Sequence, residues 1–178
     1  MTATPDPGRP GDELVADANM IFDRRWLIAA PPEQIWPWLV QLGKQRAGWY
    51  LPRRREEIIP RGRRASRAIL SEHQDLEVGR RIPDYGGRRA WLEVAHIEPP
   101  LALVYRTERR GTPFSWALLL TPRAPSSTDL HLRFRACLKS SGPRRRAIGF
   151  LGDVADGVTT ALMIRGLRER LQADRPRV

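Results

Sequence analysis

Leu130-His131-Leu132-Arg133-Phe134-Arg135-Ala136-Cys137-Leu138-Lys139 alternates apolar and mostly polar side chains, the period of a β-strand with one buried face. Such a strand belongs to a sheet that packs against something on one side and meets water on the other. The next segment supplies what packs. After Ser141-Gly142-Pro143 the pattern turns helical to about Gln172, where Leu151, Val154, Val158, Ala161, Leu162, Leu167 and Leu171 mark a broad apolar stripe. A long helix covering one face of an antiparallel sheet is an α+β arrangement. Gly149, Gly152, Gly157 and Gly166 lie inside the helical stretch, each costing about 1 kcal/mol against Ala. They imply a close approach of the sheet, room for a ligand, or a frayed first section.

Upstream, Leu101 to Arg106 and Phe114 to Leu120 read as strands set off by Gly111-Thr112-Pro113 and by Pro122 through Asp129. Before them, Val78 to Ile82 leads through the turn composition Pro83-Asp84-Tyr85-Gly86-Gly87 into Ala90 to Ile97, and Pro99-Pro100 ends that run. Consecutive antiparallel strands are expected. Residues 60 to 75 are arginine-rich and poorly periodic, so mostly loop, with a short strand near Ala68-Ile69-Leu70. Met20 to Ile28 reads as the first strand, and Pro31-Pro32 opens a short helix that Gly43 stops. A second short helical piece follows from Arg46, with Arg53 to Ile59 continuing it.

The 178 residues fit one domain. Residues 1–17, rich in Pro and Gly, have no periodic face and read as a flexible leader, with order beginning near Asn19 and a single ligand-binding domain over 18–174. The net charge of +11 comes almost wholly from arginine, Lys44 and Lys139 being the only lysines. A basic surface attracts polyanions, but the runs Arg53-Arg54-Arg55, Arg61 to Arg64 and Arg144-Arg145-Arg146 lie in different segments, which suits a solvated surface better than a nucleic-acid face. Cys137 is alone, so no disulfide framework forms within the chain. The first residues lack a signal-peptide pattern, and no run reaches the ~18 apolar residues of a membrane span. The expected location is cytoplasmic.

The order strand, two short helices, antiparallel strands, long helix is the helix-grip order. Ile28-Ala29-Ala30-Pro31-Pro32-Glu33-Gln34-Ile35-Trp36-Pro37-Trp38-Leu39-Val40-Gln41-Leu42-Gly43, followed by Arg46-Ala47-Gly48-Trp49-Tyr50, closely resembles bacterial members of the SRPBCC superfamily. These are relatives of polyketide cyclase/dehydrase, START and birch-pollen-allergen-type (Bet v 1-like) proteins. Weaker matches follow at Val78-Gly79, Val94 to Pro100, Ser115-Trp116-Ala117, Arg133, Arg135, Leu162-Met163 and Gly166-Leu167, so the resemblance spans residues 20 to 172. It departs at Leu51-Pro52-Arg53, where relatives carry a Ser-Tyr-Asp-like stretch. The resemblance implies a curved antiparallel sheet wrapped around a long C-terminal helix, with an internal cavity used in different members for lipid transport, hormone binding or polyketide cyclisation.

Aromatic side chains with a few polar groups suit a flat, mainly apolar ligand. Trp36, Trp49, Trp91 and Trp116, with Tyr50, Tyr105 and Met163, are the candidate lining, and Gln41 and Arg46 the candidate orienting groups. For any single tryptophan a core role is the simpler reading. Tyr50, Tyr85 and His96 are the candidates for proton transfer, although His96 sits near a strand end where an ordinary histidine is expected. His73, His96, His131 and Cys137 have no metal-ligand spacing, and no phosphate- or dinucleotide-binding fingerprint is present, so neither metal nor cofactor is expected. The leading expectation is a binding protein, monomeric or homodimeric, for a hydrophobic or aromatic small molecule. The alternatives are a cyclase or dehydratase-type enzyme and a basic binder of nucleic acid or anionic membrane.

Overall fold

The computed structural model describes residues 8–109, 111–139 and 142–174, the side chains of 143–145 excepted. Its elements are β1 (Met20–Ile28), α1 (Pro32–Gln41), α2 (Arg53–Glu56), β2 (Arg81–Pro83), β3 (Trp91–Glu98), β4 (Ala102–Arg109), β5 (Thr112–Ala124), β6 (Ser127–Ala136) and α3 (Gly142–Ala173). Six strands form one antiparallel sheet in the order β1-β6-β5-β4-β3-β2. Only β1 pairs out of sequence, against β6. The fold is α+β, a curved antiparallel sheet with a long C-terminal helix, consistent with the helix-grip order.

Strand register sorts the side chains onto two faces. On the concave face Val94, Tyr105, Trp116, Phe134 and Phe22 are directly paired across five strands. Phe22 and Phe134 stack with centroids 5.6 Å apart. The neighbouring row runs Leu103, Leu118, Leu132 and ends in Arg24. That arginine is the polar exception, and α3 supplies its partners, Asp153 in close contact and Asp156 at 3.6 Å.

The apolar positions of α3 do not form one buried stripe. Met163, Ile164, Leu167 and Leu171 are buried against the core, whereas Leu151, Val154 and Val158 are exposed. Helical geometry is the reason: at about 100° per residue, Leu167 lies roughly 160° round the axis from Leu151. The helix from Arg146 to Ala173 is long and apolar enough by length and composition to cross a membrane, which the sequence expectation did not foresee. Its C-terminal half is nevertheless bedded in the domain.

Helix α3 is continuous through its glycines, and close approach explains two of them, Gly152 and Gly166. A Cβ on Gly166 would stand 2.7 Å from the backbone of Leu51, and one on Gly152 would stand 2.9 Å from the Phe22 ring. Gly149 faces open space.

On the convex face, residues 8–18 do more than the expected unpacked leader. A 3-10 turn, Glu13–Val15, lies against β5, with Val15 buried. Arginines on the polar face of β6 hold it: Arg135 donates to Val15 O at 3.0 Å, and Arg133 donates to Asp12 Oδ1 at 2.7 Å. Charge pairing replaces apolar periodicity there, which is why composition missed it. Residues 1–7 of the expected leader lie outside the described residues. A second correction concerns Ala68-Ile69-Leu70, which form no strand between the 3-10 turns Arg61–Arg63 and Ser71–His73. The Gln41 side chain takes the role of a partner strand, accepting from Leu70 N at 2.8 Å and donating to Ala68 O at 3.2 Å.

Gly166→Ala should destabilise the fold by about 1–3 kcal/mol through overpacking against fixed backbone, whereas Gly149→Ala should be neutral or stabilise by up to about 1 kcal/mol; denaturant titration of the two variants checks the contrast. Burial raises the Asp12 pKa, but hydrogen bonding and charge from Arg133, with Arg135 beyond, more than reverse this and hold it below the ordinary 3.8. A carboxyl depressed by folding contributes stability above its unfolded pKa and loses it as the pH falls through the folded one. Acidification below the ordinary carboxylate range should therefore release residues 9–18, read by amide exchange at Val15 and Ala18.

Candidate functional site

The aromatic row on the concave face opens into a cavity of about 170 Å³ between the sheet, the loop after α1 and α3. A tight turn builds its aromatic wall. Gly43 and Gly48 exchange backbone hydrogen bonds of 3.2 and 2.9 Å, and Gly48 has φ +83, a conformation that favours glycine. The chain leaves that turn with Trp49 facing the cavity and Tyr50 turned into the core. Trp49 stacks on Trp116 at 6.1 Å, Trp116 stacks on Tyr105 at 5.9 Å, and Tyr85 meets Trp49 edge-on at 6.3 Å. Leu42, Ile82, Leu92 and Phe134 complete the apolar lining.

Behind Trp49, a buried polar scaffold fixes the turn. The Tyr50 hydroxyl donates to Trp38 O at 2.8 Å and accepts from Gln41 Nε2 at 3.1 Å. Arg170 lies over the Tyr50 ring at 4.4 Å, donates to Glu56 Oε1 at 2.6 Å, and reaches Ser66 O and Gly166 O at 2.8 and 2.9 Å. Arg170 and Glu56 are almost wholly buried, so each needs the other. Burial pushes the Tyr50 phenol well above its ordinary range.

Two polar ends of opposite character meet the apolar wall. Near the β2–β3 loop, Arg109 pairs closely with Asp84, and Lys44 Nζ donates to Asp84 O and Gly87 O, both at 3.2 Å. Lys44, Asp84 and Arg109 all line the cavity. Burial lowers the Arg109 pKa. On the α3 side are Asp156, Thr159 and Thr160. Burial, opposed by Arg24 and reinforced by Asp153, raises the Asp156 pKa. The threonine hydroxyls donate back into the helix, Thr159 to Ala155 O at 2.8 Å and Thr160 to Asp156 O at 2.6 Å. That leaves acceptor lone pairs on the α3 side and cationic donors at the loop.

Of the sequence candidates, Trp49, Trp116 and Tyr85 come together on the cavity, with Tyr105 stacked behind Trp116. The Tyr105 hydroxyl is fully buried without a hydrogen-bond partner among the described residues, and its ionisation is pushed up by burial. Arg46 donates to Val40 O and His73 O at 3.3 and 2.6 Å, leaving Nε unpartnered. Gln41 and Tyr50 belong to the scaffold, Met163 to the core, and Trp36 packs half-buried on that core. Trp91 lies away from the cavity under Arg81, 4.2 Å from its ring centroid. His96 pairs in register with Val104, on the convex side, and stands 3.7 Å from Glu98. Tyr50, Tyr85 and His96 therefore do not converge.

Sequence reasoning missed Lys44, Asp84, Arg109, Asp156 and Phe134. Phe134 was within reach, since it shares the apolar face of the alternating strand with Leu130 and Leu132. The four charged groups come from separate segments that only strand register and helix placement unite. Among the described residues, no three His, Cys, Asp or Glu side chains are grouped to hold a metal ion.

No protein-family model matches the chain, and no curated protein matches it. Solved structures do. SA2116 from Staphylococcus aureus has a TM-score of 0.55 at 10% identity, covering 86% of this chain and 93% of its own. MLL2253 from Mesorhizobium loti has 0.51 at 20% identity, covering 88% of this chain and 99% of its own. DynU16, of the dynemicin biosynthetic locus, has 0.53 at 17% identity, covering 89% of this chain but 49% of its own. At these identities the likeness is one of fold.

Because Tyr50 braces the turn from within the core, Tyr50→Phe should lower stability by about 1–2 kcal/mol through loss of its buried hydrogen bonds. Quenching of Trp49 fluorescence by an aromatic probe in the cavity should persist in that variant, which denaturant and probe titrations together would show.

Proposed function

We propose that this chain is a helix-grip binding protein of the SRPBCC type, taking a flat, mainly apolar small molecule into the cavity beneath α3. The carrying observation is the Trp49–Trp116 stack with Tyr85 at its edge, open to the cavity. Stacked rings offer area to a planar ligand at little entropic cost, and the few polar groups around them set its orientation. Lys44 and Arg109 would meet an acceptor or anionic group at the loop end. Asp156 and the threonine oxygens would meet a donor at the helix end. A ligand polar at both ends and apolar between fits this distribution. DynU16, of similar fold, comes from the dynemicin biosynthetic locus, which is compatible with a small-molecule ligand.

The second reading, an enzyme of cyclase or dehydratase type, has one observation in its favour. Asp156 stands at the cavity wall with its pKa raised by burial, a shift in the direction that favours its holding a proton. The position of Tyr85 beside Trp49 gives a second titratable group on the same cavity, although no hydrogen bond joins it to Asp156.

Native mass spectrometry of freshly purified protein, followed by denaturing extraction, tests the binding reading. The expected result is an apolar or aromatic adduct that Trp49→Ala and Trp116→Ala each weaken roughly tenfold or more, in line with the loss of a stacked ring. Retention of the adduct in both variants would overturn the assignment to this cavity. Conversion of an added polyketide-like substrate, abolished by Asp156→Asn, would favour the enzyme.

A further inference from the structure

The N-terminal half of α3 turns its large apolar side chains away from the domain. Phe150, Leu151, Val154 and Val158 are 68, 66, 50 and 57% exposed. The inward positions of the same turns are small or polar: Gly152 beside Phe22, Asp153 and Asp156 toward Arg24, and buried Thr160. At about 100° per residue the four apolar side chains fall within roughly 100° of one another round the axis, so they form a strip. Scattered apolar residues on a surface need no explanation, but a contiguous strip marks something that covers it.

Charge distribution identifies the cover. Exposed Arg146, in the run Arg144-Arg145-Arg146, precedes the strip, and exposed Arg165 and Arg168 follow it on the same side. Asp156 points the other way, toward Arg24, and half-exposed Asp153, beside Arg146 and Phe150, has its charge met by the same arginine. Among the described residues Asp153 is the one carboxylate at the edge of this side between Arg146 and Arg168, and it is paired with Arg24. A second copy of the chain fits poorly, because antiparallel strips would set Arg165 and Arg168 against the other copy's Arg146, and parallel strips would oppose like ends. A nucleic-acid duplex offers phosphates but keeps its base faces stacked inside, and the aliphatic Leu151, Val154 and Val158 are not rings on which single-stranded bases would stack. An anionic lipid surface offers phosphates and apolar chains together, and the net charge of +11 steers the chain toward it. A spanning helix is not what this geometry describes, since Met163, Ile164 and Leu167 are buried in the core and Arg170 is paired with Glu56.

We propose that this face of α3 docks the protein peripherally on an anionic bilayer. Phe150, Leu151, Val154 and Val158 enter the boundary between headgroups and acyl chains, with Arg146 and Arg165 at the lipid phosphates and Arg168, which donates to Leu27 O at 2.9 Å, beside them, the arrangement of an amphipathic helix lying in the membrane plane. Asp156 and Thr160 line the cavity from the opposite side of the helix, so docking does not depend on what the cavity holds.

Co-sedimentation of the full chain with vesicles tests this, using phosphatidylcholine alone or phosphatidylcholine mixed with phosphatidylglycerol. The protein is expected to sediment with the phosphatidylglycerol vesicles only, less so as salt rises, and the double variant Leu151→Asp, Val154→Asp should lose roughly tenfold or more of that binding. Its thermal unfolding should match the parent, both side chains being outside the core; if the aspartates impair folding, Leu151→Ser with Val154→Ser reads the same loss in milder form. Absence of binding to phosphatidylglycerol vesicles would overturn the proposal. So would unchanged binding of the double variant, which would assign attraction to the arginines alone, or light scattering that shows a dimer split by those substitutions. Probe titration of the cavity in the same variants separates this outcome from failure of the ligand-binding reading.

Discussion

The buried pair between Arg170 and Glu56 is the constraint on which the cavity depends. A guanidinium removed from water requires acceptors on every side, and this one finds a carboxylate, carbonyl oxygens of Ser66 and Gly166, and the face of Tyr50. Those acceptors belong to α2, to the segment after it, to α3 itself and to the chain just after the Gly43–Gly48 turn. One side chain thereby locks four parts of the chain in a single geometry. Trp49 points at the cavity because Tyr50, its neighbour, cannot leave that arrangement. Gly166 permits the same approach by letting the Leu51 backbone come against the helix.

The two halves of α3 follow opposite rules. The C-terminal half buries its apolar side and closes the core, while the N-terminal half turns small and acidic residues inward and apolar ones outward. Arg24, placed by strand pairing at the end of an apolar row, is the reason acidic residues face inward there. Cavity chemistry follows from that choice. Asp156 stands at the wall because it answers Arg24, and burial then raises its pKa. The same sheet therefore presents a greasy floor under one half of the helix and a charged, acceptor-rich edge under the other.

Much of the architecture was legible because it rests on short-range periodicity. The alternation survives from Leu130 to Ala136 in β6 with its apolar face against the core, while Cys137 to Lys139 lie beyond the strand, and the Pro31-Pro32 start and short length of α1 appear as expected. Legibility failed where a side chain did the work of backbone, as when Gln41 supplied the partner for residues 68–70. It failed again for residues 8–18, which are held by Arg133 and Arg135 rather than by an apolar face. In the site, the tryptophans were marked by type, but type could not separate Trp49 and Trp116 from Trp36 and Trp91. That separation depends on which side of a strand or turn each occupies.

By itself the sequence determined the types and order of the long periodic elements and the presence of an apolar face for sheet and helix, because these depend on periods of two and 3.6 residues that can be counted along the chain. Tertiary structure alone decided that Lys44, Asp84, Arg109 and Asp156 would share a cavity. It alone decided that half of the apolar stripe of α3 would face outward. The physical reason is common to both. Charges far apart in sequence meet only through register and helix rotation, and a face is buried or exposed according to what stands opposite it in space.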